Sequence, residues 1–301
     1  MTTARLLLGA LVVAALAVTW PGRLSAQAAR KAMYVSVVNE SGAPVKDLDA
    51  ADFIIREDNV AREVLLVEPA LDPMQIAILV DNSTAARNNI SHMRTALPSF
   101  VGALTDGLEG QKNQVSIIAI GERPTVLADY STGRAALQKG IDRIWSLHDT
   151  GAYLLDGITE VCQGFKKREA MRPVIVALTT EGPEFSNRQH DQVIEPLKAT
   201  GAAFNALVIG RPSSSLSSEA RERNMVLDEG PRVTGGARMD ILAVEGLDMR
   251  LKQLADQLMH QYKVTYARPQ SLIPPERFTV ATNKPGLTAR GTLVRETKNK
   301  S

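Results

Sequence analysis

A carboxylate and a row of hydroxyls follow one apolar run. "QIAILV" (75–80) breaks into Asp81, Asn82, Ser83, Thr84 and Ala85. Oxygen donors of this kind suit two chemistries. A hard cation such as Mg²⁺ takes six oxygens in near-octahedral geometry. A serine at a strand-to-helix junction can instead act as a nucleophile when a base stands beside it. The second chemistry would draw on His148 and Asp149 from "HDTGAYLLDG" (148–157). A nucleophile elbow needs small glycines around the serine, and Asp81, Asn82, Thr84 and Ala85 are not that, so a hydrolase centred on Ser83 is the least favoured reading. His92, His190 and His260 fall in no H-x-x-x-H or H-E-x-x-H spacing, which leaves no zinc motif. No G-x-G-x-x-G follows a strand, and no G-x-x-x-x-G-K occurs. Cys162, the one cysteine, has helical spacing with Ile158 and Phe165 and is expected to be a buried structural thiol.

The elements that must position these groups change character along the chain. Arg5, the apolar run from Leu6 to Val18 and the small residues of "LSAQAA" form a secretory signal, expected to be cleaved after residue 28. That placement implies a secreted or periplasmic protein. The whole chain has 35 basic and 33 acidic residues, and loss of Arg5 and Arg23 leaves a neutral mature chain. No basic excess remains to argue for nucleic acid or a membrane surface. Residues 29–73 hold three short strand-like runs, "MYVSVV", "FIIRED" and "REVLLVE", separated by turn chemistry and closed by the linker "PALDP".

From residue 74 to 260, continuous apolar runs alternate with apolar stripes of helical period. The runs are "QIAILV", "QVSIIAI", "PVIVALT" and "AFNALVI", each suited to a strand buried on both faces. The stripes include Ile90, Met93, Leu97, Val101 and Leu104; Leu137, Ile141 and Ile144; Leu154, Ile158, Val161 and Phe165; and Leu247, Leu251, Leu254 and Leu258. "PTVLADY" (124–130) suits an edge strand. This alternation predicts an α/β fold with a doubly wound, mainly parallel sheet. "GRPSSSLSSEARERN" (210–224) is expected to be a solvated or recognition loop. "YKVTYAR", "RFTVAT" and "GLTARGTLV" return to strand character over 261–295. Their expected partner is the N-terminal β segment, and 296–301 is a charged tail.

The chain resembles a von Willebrand factor type A domain at "DNSTA", "HDTGAYLLDG" and "LTTEGPE". Its flanks, "SGAPVKDLDAADFIIRED" and "QYKVTYARP" with "KPGLTARG", are similar to the bacterial von Willebrand factor A related subfamily, best known from Acidobacteria. The resemblance implies a Rossmann-like fold and a metal-ion-dependent adhesion site: a DxSxS strand end, a threonine from a later loop and an aspartate after the fourth main strand. In that site Mg²⁺, or Mn²⁺ or Ca²⁺, serves binding rather than turnover, and a carboxylate of a partner protein completes the shell. Carried onto this chain, Asp81 and Ser83 match, Ala85 replaces the second serine, and Ala152 stands where the threonine belongs. Thr150 lies two residues earlier, and Glu181 replaces the aspartate. The metal set that remains is Asp81, Ser83, Thr150 and Glu181, a degenerate one. Asn82, Thr84, Tyr153 and Glu184 are expected to face a protein partner. The function implied is non-catalytic protein binding, with a structural or assembly role through another surface as the alternative.

Overall fold

A computed structural model describes residues 29–107, 111–211, 217–269, 273 and 275–295; the segment expected to be a signal (1–28) and the expected tail (296–301) lie outside them. In chain order the elements are β1 (Ala29–Val38), β2 (Phe53–Glu57), β3 (Val60–Arg62), β4 (Val64–Pro69), β5 (Gln75–Val80), α1 (Ile90–Asp106), β6 (Gln114–Ala119) and β7 (Thr125–Ser131). There follow α2 (Arg134–Asp142), α3 (Leu154–Lys167), β8 (Pro173–Thr180), α4 (Asp191–Thr200), β9 (Ala203–Ile209), α5 (Ser218–Thr234) and β10 (Arg238–Ile241). The last are α6 (Leu247–Met259), β11 (Tyr262–Arg268), β12 (Phe278–Thr282) and β13 (Thr288–Leu293). No helix among the described residues is long and apolar enough to cross a membrane.

The central sheet has the order β10-β9-β8-β5-β6-β7. All pairings are parallel except β6 with β7, which is antiparallel and irregular in register. Strands buried on both faces have nothing to gain from polar alternation, and β8 and β9 are buried at every position. Side chains still divide by the pleat. Ile76, Ile78 and Val80 pack with α1, α2 and α6, while Ala77 and Leu79 pack with α3, α4 and α5. The order reverses between β5 and β8, and this is where the carboxyl ends of an open α/β sheet leave a crevice. Cys162 is fully buried in the second of these layers, with its thiol pushed up to about 11 by burial.

The terminal segments meet in two sheets. β1 lies between β11 and β13, with β4 beyond β11, while β2 pairs with β3 and β12. The two sheets close on Met33, Val35, Val37, Phe53, Ile55, Val264 and Tyr266.

Two expectations need correction. The stripe Leu137, Ile141, Ile144 is not one helix, because α2 ends at Asp142, although Ile144 stays buried in the same layer. The segment expected as a loop over 210–224 contributes the start of α5. Ser217 caps it by accepting from the Ala220 amide, Glu219 lies in its first turn, and Gly235 in the left-handed region closes it.

Candidate functional site

β5 delivers Asp81 to the strand-order reversal and β8 delivers Thr180 and Glu181 beside it. Asp81 is fully buried, and each carboxylate oxygen is taken by a main-chain amide: Oδ1 by Ser83 N–H at 2.9 Å, Oδ2 by Thr180 N–H at 3.0 Å. Burial raises its pKa. The neighbouring Ser83 hydroxyl, the two amides and the charge of Arg223 pull the other way. The carboxylate therefore ties the end of β5 to the end of β8.

The next residues lash the edge to the loop before α3. Asn82 is buried; its Nδ2 donates to the Trp145 carbonyl at 2.9 Å, and its Oδ1 accepts from Gly121 N–H at 2.8 Å. Thr84 accepts from Thr150 N–H at its hydroxyl and donates its own amide to the Thr150 carbonyl. Ala85 fills what remains, since a Cβ on Gly182 would stand 2.5 Å from the Ala85 methyl. Ala152 is paired across to the 183–185 segment, donating to Pro183 O and accepting from Phe185 N–H.

Two acidic groups complete the floor. Glu181 Oε2 accepts from Arg223 Nη2 at 2.7 Å, and Arg223 Nη1 donates to the Gly182 carbonyl at 2.7 Å. Arg223 is 1 % exposed and heads the largest fully buried side chains of the described residues. Glu184 is also buried. Its oxygens accept from the amides of Leu154, Leu155 and Ser186, while Ser186 Oγ accepts from Asp156 N–H. Tyr153 gives α3 no side-chain cap, so Glu184 and Ser186 supply one from another loop.

The expected residues are thus together, with roles that differ from those expected. Asn82 and Glu184, expected to face a partner, are both turned inward and bonded to the scaffold. Thr84 is half-buried and engaged with Thr150; Tyr153 is half-buried, its ring edge-on to Phe185 at 6.1 Å between centroids. The contact a Ser83 hydrolase requires is not made: the Ser83 hydroxyl is buried without a hydrogen-bond partner, and His148 is bonded to Arg87. Arg223, 42 residues beyond Glu181 in sequence, was not among the candidates.

The remaining donor set does not fit a divalent ion. Ser83 Oγ and Thr150 Oγ1 are both buried and unpartnered, so two hydroxyls are still on offer. Asp81 is held by two amides, Glu181 by a guanidinium, and positions 85 and 152 end in methyl groups. Neutral hydroxyls alone do not offset the dehydration of Mg²⁺. Among the described residues no three His, Cys, Asp or Glu side chains are grouped to hold a metal.

Outside this floor the edge displays aromatic rings. Phe185 is half-exposed and lies on Gly151, where a Cβ would come within 2.6 Å of its ring. Trp145 is 62 % exposed, with the Arg94 guanidinium 4.5 Å above it.

Glu184 gives the site a pH signature. Burial is the largest influence and lifts its pKa to about 7 from 4.5, against the Ser186 and Leu155 hydrogen bonds and the Arg223 charge. Between those values the folded chain holds more proton at Glu184 than the unfolded chain does. Its contribution to stability is therefore complete below pH 4.5 and is lost as pH rises through about 7. Relative to Glu184→Gln, the wild-type unfolding free energy should fall by about 2–3 kcal/mol between pH 4.5 and 8. Urea unfolding at both pH values checks this, and parallel changes in the two proteins would refute it.

Residues 76–183 match the family model for the von Willebrand factor type A domain. No curated protein matches the chain. Among solved structures it is similar to the conserved hypothetical protein BatB from Bacteroides thetaiotaomicron, at 12% identity and a TM-score of 0.45, over 62% of this chain and 98% of that one. It is similar to an aerotolerance-related membrane protein from Bacteroides fragilis NCTC 9343 at 14% identity and a TM-score of 0.44, over 61% and 99%. Proximal thread matrix protein 1 from the mussel byssus, solved with a zinc-occupied metal-ion-dependent adhesion site motif, matches at 16% identity and a TM-score of 0.50, over 68% of this chain and 50% of that one.

Proposed function

We propose that this von Willebrand factor type A domain protein is a secreted or periplasmic, non-catalytic protein-binding module that works through the carboxyl edge of its sheet. Its adhesion site is degenerate, and its terminal strands support a place in the bacterial von Willebrand factor A related group. The observation that carries the reading is the display of Phe185 and Trp145 on loops that the buried polar network below holds still. Large aromatic side chains on a rigid support are characteristic of binding surfaces, where they bring contact area with little loss of conformational freedom.

The second reading, a structural or assembly role, rests on β4. This strand ends the four-stranded sheet, so one edge of its main chain is open to pairing with another chain, and Leu65 and Leu66 are exposed on it. A photo-crosslinking residue placed at Phe185, and separately at Leu66, in the full chain produced in a bacterial host separates the two. The edge reading predicts crosslinked protein from position 185 in the extracytoplasmic fraction and little from 66. Adducts from 66 alone would favour assembly through β4.

A further inference from the structure

The carboxyl edge concentrates acid. Asp81, Glu181 and Glu184 stand at the ends of β5 and β8, and Asp81 and Glu184 are at most 2 % exposed, with the Glu181 side chain at 8 %. Buried carboxylates require a cation, a set of donors, or a proton. Main-chain amides serve Asp81 and Glu184. The positive charge comes from α5, which carries Arg223 into the floor of the site.

We propose that the Arg223 guanidinium is the resident cation of this edge, in place of a divalent ion, and that the edge is assembled without metal. The proposal does not depend on whether the edge binds a partner. A metal at a strand-end site does two things: it neutralises clustered carboxylates, and it ties together loops that would otherwise separate. Arg223 does both. It pairs with Glu181 at 2.7 Å, and its charge favours the ionised forms of Asp81 and Glu184.

It also grips main chain. Nη1 holds the Gly182 carbonyl, and the same loop is bonded through Pro183 and Phe185 to Ala152. Ala85 lies on Gly182 from the third loop. One guanidinium thus joins α5 to the loop after β8, and main-chain bonds carry that link on to the loop before α3. Its planar fork allows a carboxylate and a carbonyl to be held at once.

The substitutions agree with this assignment from the other side. Ala85 and Ala152 remove oxygen donors where a metal would need them, and Glu181 presents its carboxylate to the guanidinium. A divalent ion entering here would have to settle beside a buried positive charge in a low-dielectric setting, where like charges repel strongly.

Thermal melts of the mature chain in EDTA and in 5 mM Mg²⁺, Mn²⁺ or Ca²⁺, with Arg223→Met and Arg223→Lys beside it, test the assignment. The wild-type Tm is expected to be the same in all four conditions. Arg223→Met should melt about 10 °C lower, as expected when one partner of a buried pair is removed. Arg223→Lys should recover part of that loss, since it restores the charge without the fork. In Arg223→Met alone, Mn²⁺ should raise Tm by a few degrees, a response that loss of packing would not produce. A metal-dependent rise in the wild-type Tm that is abolished by Asp81→Ala would overturn the proposal, as would a Tm unchanged in Arg223→Met. Should Arg223→Met fail to fold, Mn²⁺ titration of the wild type followed by electron paramagnetic resonance decides: free Mn²⁺ throughout supports the proposal, and micromolar binding refutes it.

Discussion

Replacing Arg172 with methionine should lower the unfolding free energy by about 3–5 kcal/mol and split unfolding into two steps. Arg172 stands just before β8 and is 3 % exposed. Its guanidinium donates to the carbonyls of Ala70, Asp72 and Leu258 and to Gln261 Oε1, the last at 2.7 Å, and it lies 4.6 Å from the centre of the Tyr34 ring. One side chain therefore joins the segment between β4 and β5, the end of α6, the start of β11, and β1. Burial lowers its pKa to about 10, still well above neutral, so the bolt is charged at pH 7. Methionine fills similar space but leaves the Leu258 carbonyl and the Gln261 amide oxygen without this donor, and the Ala70 and Asp72 carbonyls with only Gln111 Nε2 at 3.3 Å. Circular dichroism in guanidinium chloride should then show the terminal β sheets melting before the α/β domain. A single transition with a midpoint close to wild type would show that the two units hold together without this residue.

Glu57→Ala should be comparably severe, again about 3–5 kcal/mol, with its effect confined to the β sheets. The Glu57 carboxylate accepts from Arg62 Nε at 2.9 Å and from the Tyr266 hydroxyl at 3.0 Å, and Arg268 Nε lies 3.5 Å away. Glu57 and Arg62 belong to the three-stranded sheet, Tyr266 and Arg268 to the four-stranded one, so this carboxylate joins two layers that share no strand. Alanine would leave two guanidinium groups facing each other without their counter-charge. Glutamine keeps an acceptor for Tyr266 and should cost less. Amide hydrogen exchange gives the test: protection should drop in β2, β11 and β12 while β5 and β8 stay protected. Loss spread evenly over the chain would count against a local role.

The parts of this molecule legible from sequence are those set by local pattern. "PVIVALT" announces a strand buried on both faces because no polar residue interrupts it, and β8 is buried throughout. Asp81 and Ser83 lie two residues apart in sequence and remain in contact in space, so their motif is readable. Arg223 is different. In "SSEARERN" it is one of several charges on a polar segment and resembles any solvated helix residue; only the passage of α5 under the carboxyl ends of the strands buries it. Glu184 was misplaced for a related reason. An acidic residue in a loop near a site carries no local mark of whether it points out to a partner or in to the start of α3. The division of the terminal strands into two sheets is equally hidden, since alternation in β2 tells which side chains are buried but not which strand lies alongside.

The first strand has a consequence for how the molecule comes into being. β1 has two neighbours, β11 and β13; Ala29 pairs with Arg268 and Val38 with Thr288. β1 thus precedes in synthesis both strands it pairs with, by an interval of about 10–50 s at ordinary elongation rates. Until then its backbone is open along both edges while Met33, Val35 and Val37 have no apolar cover from their own sheet. The α/β domain can complete its contacts in the meantime, because its strands and helices follow one another along the chain. Completion of the fold is therefore timed by the arrival of the C-terminal strands, and β1 is the segment most exposed to capture by another chain before they arrive.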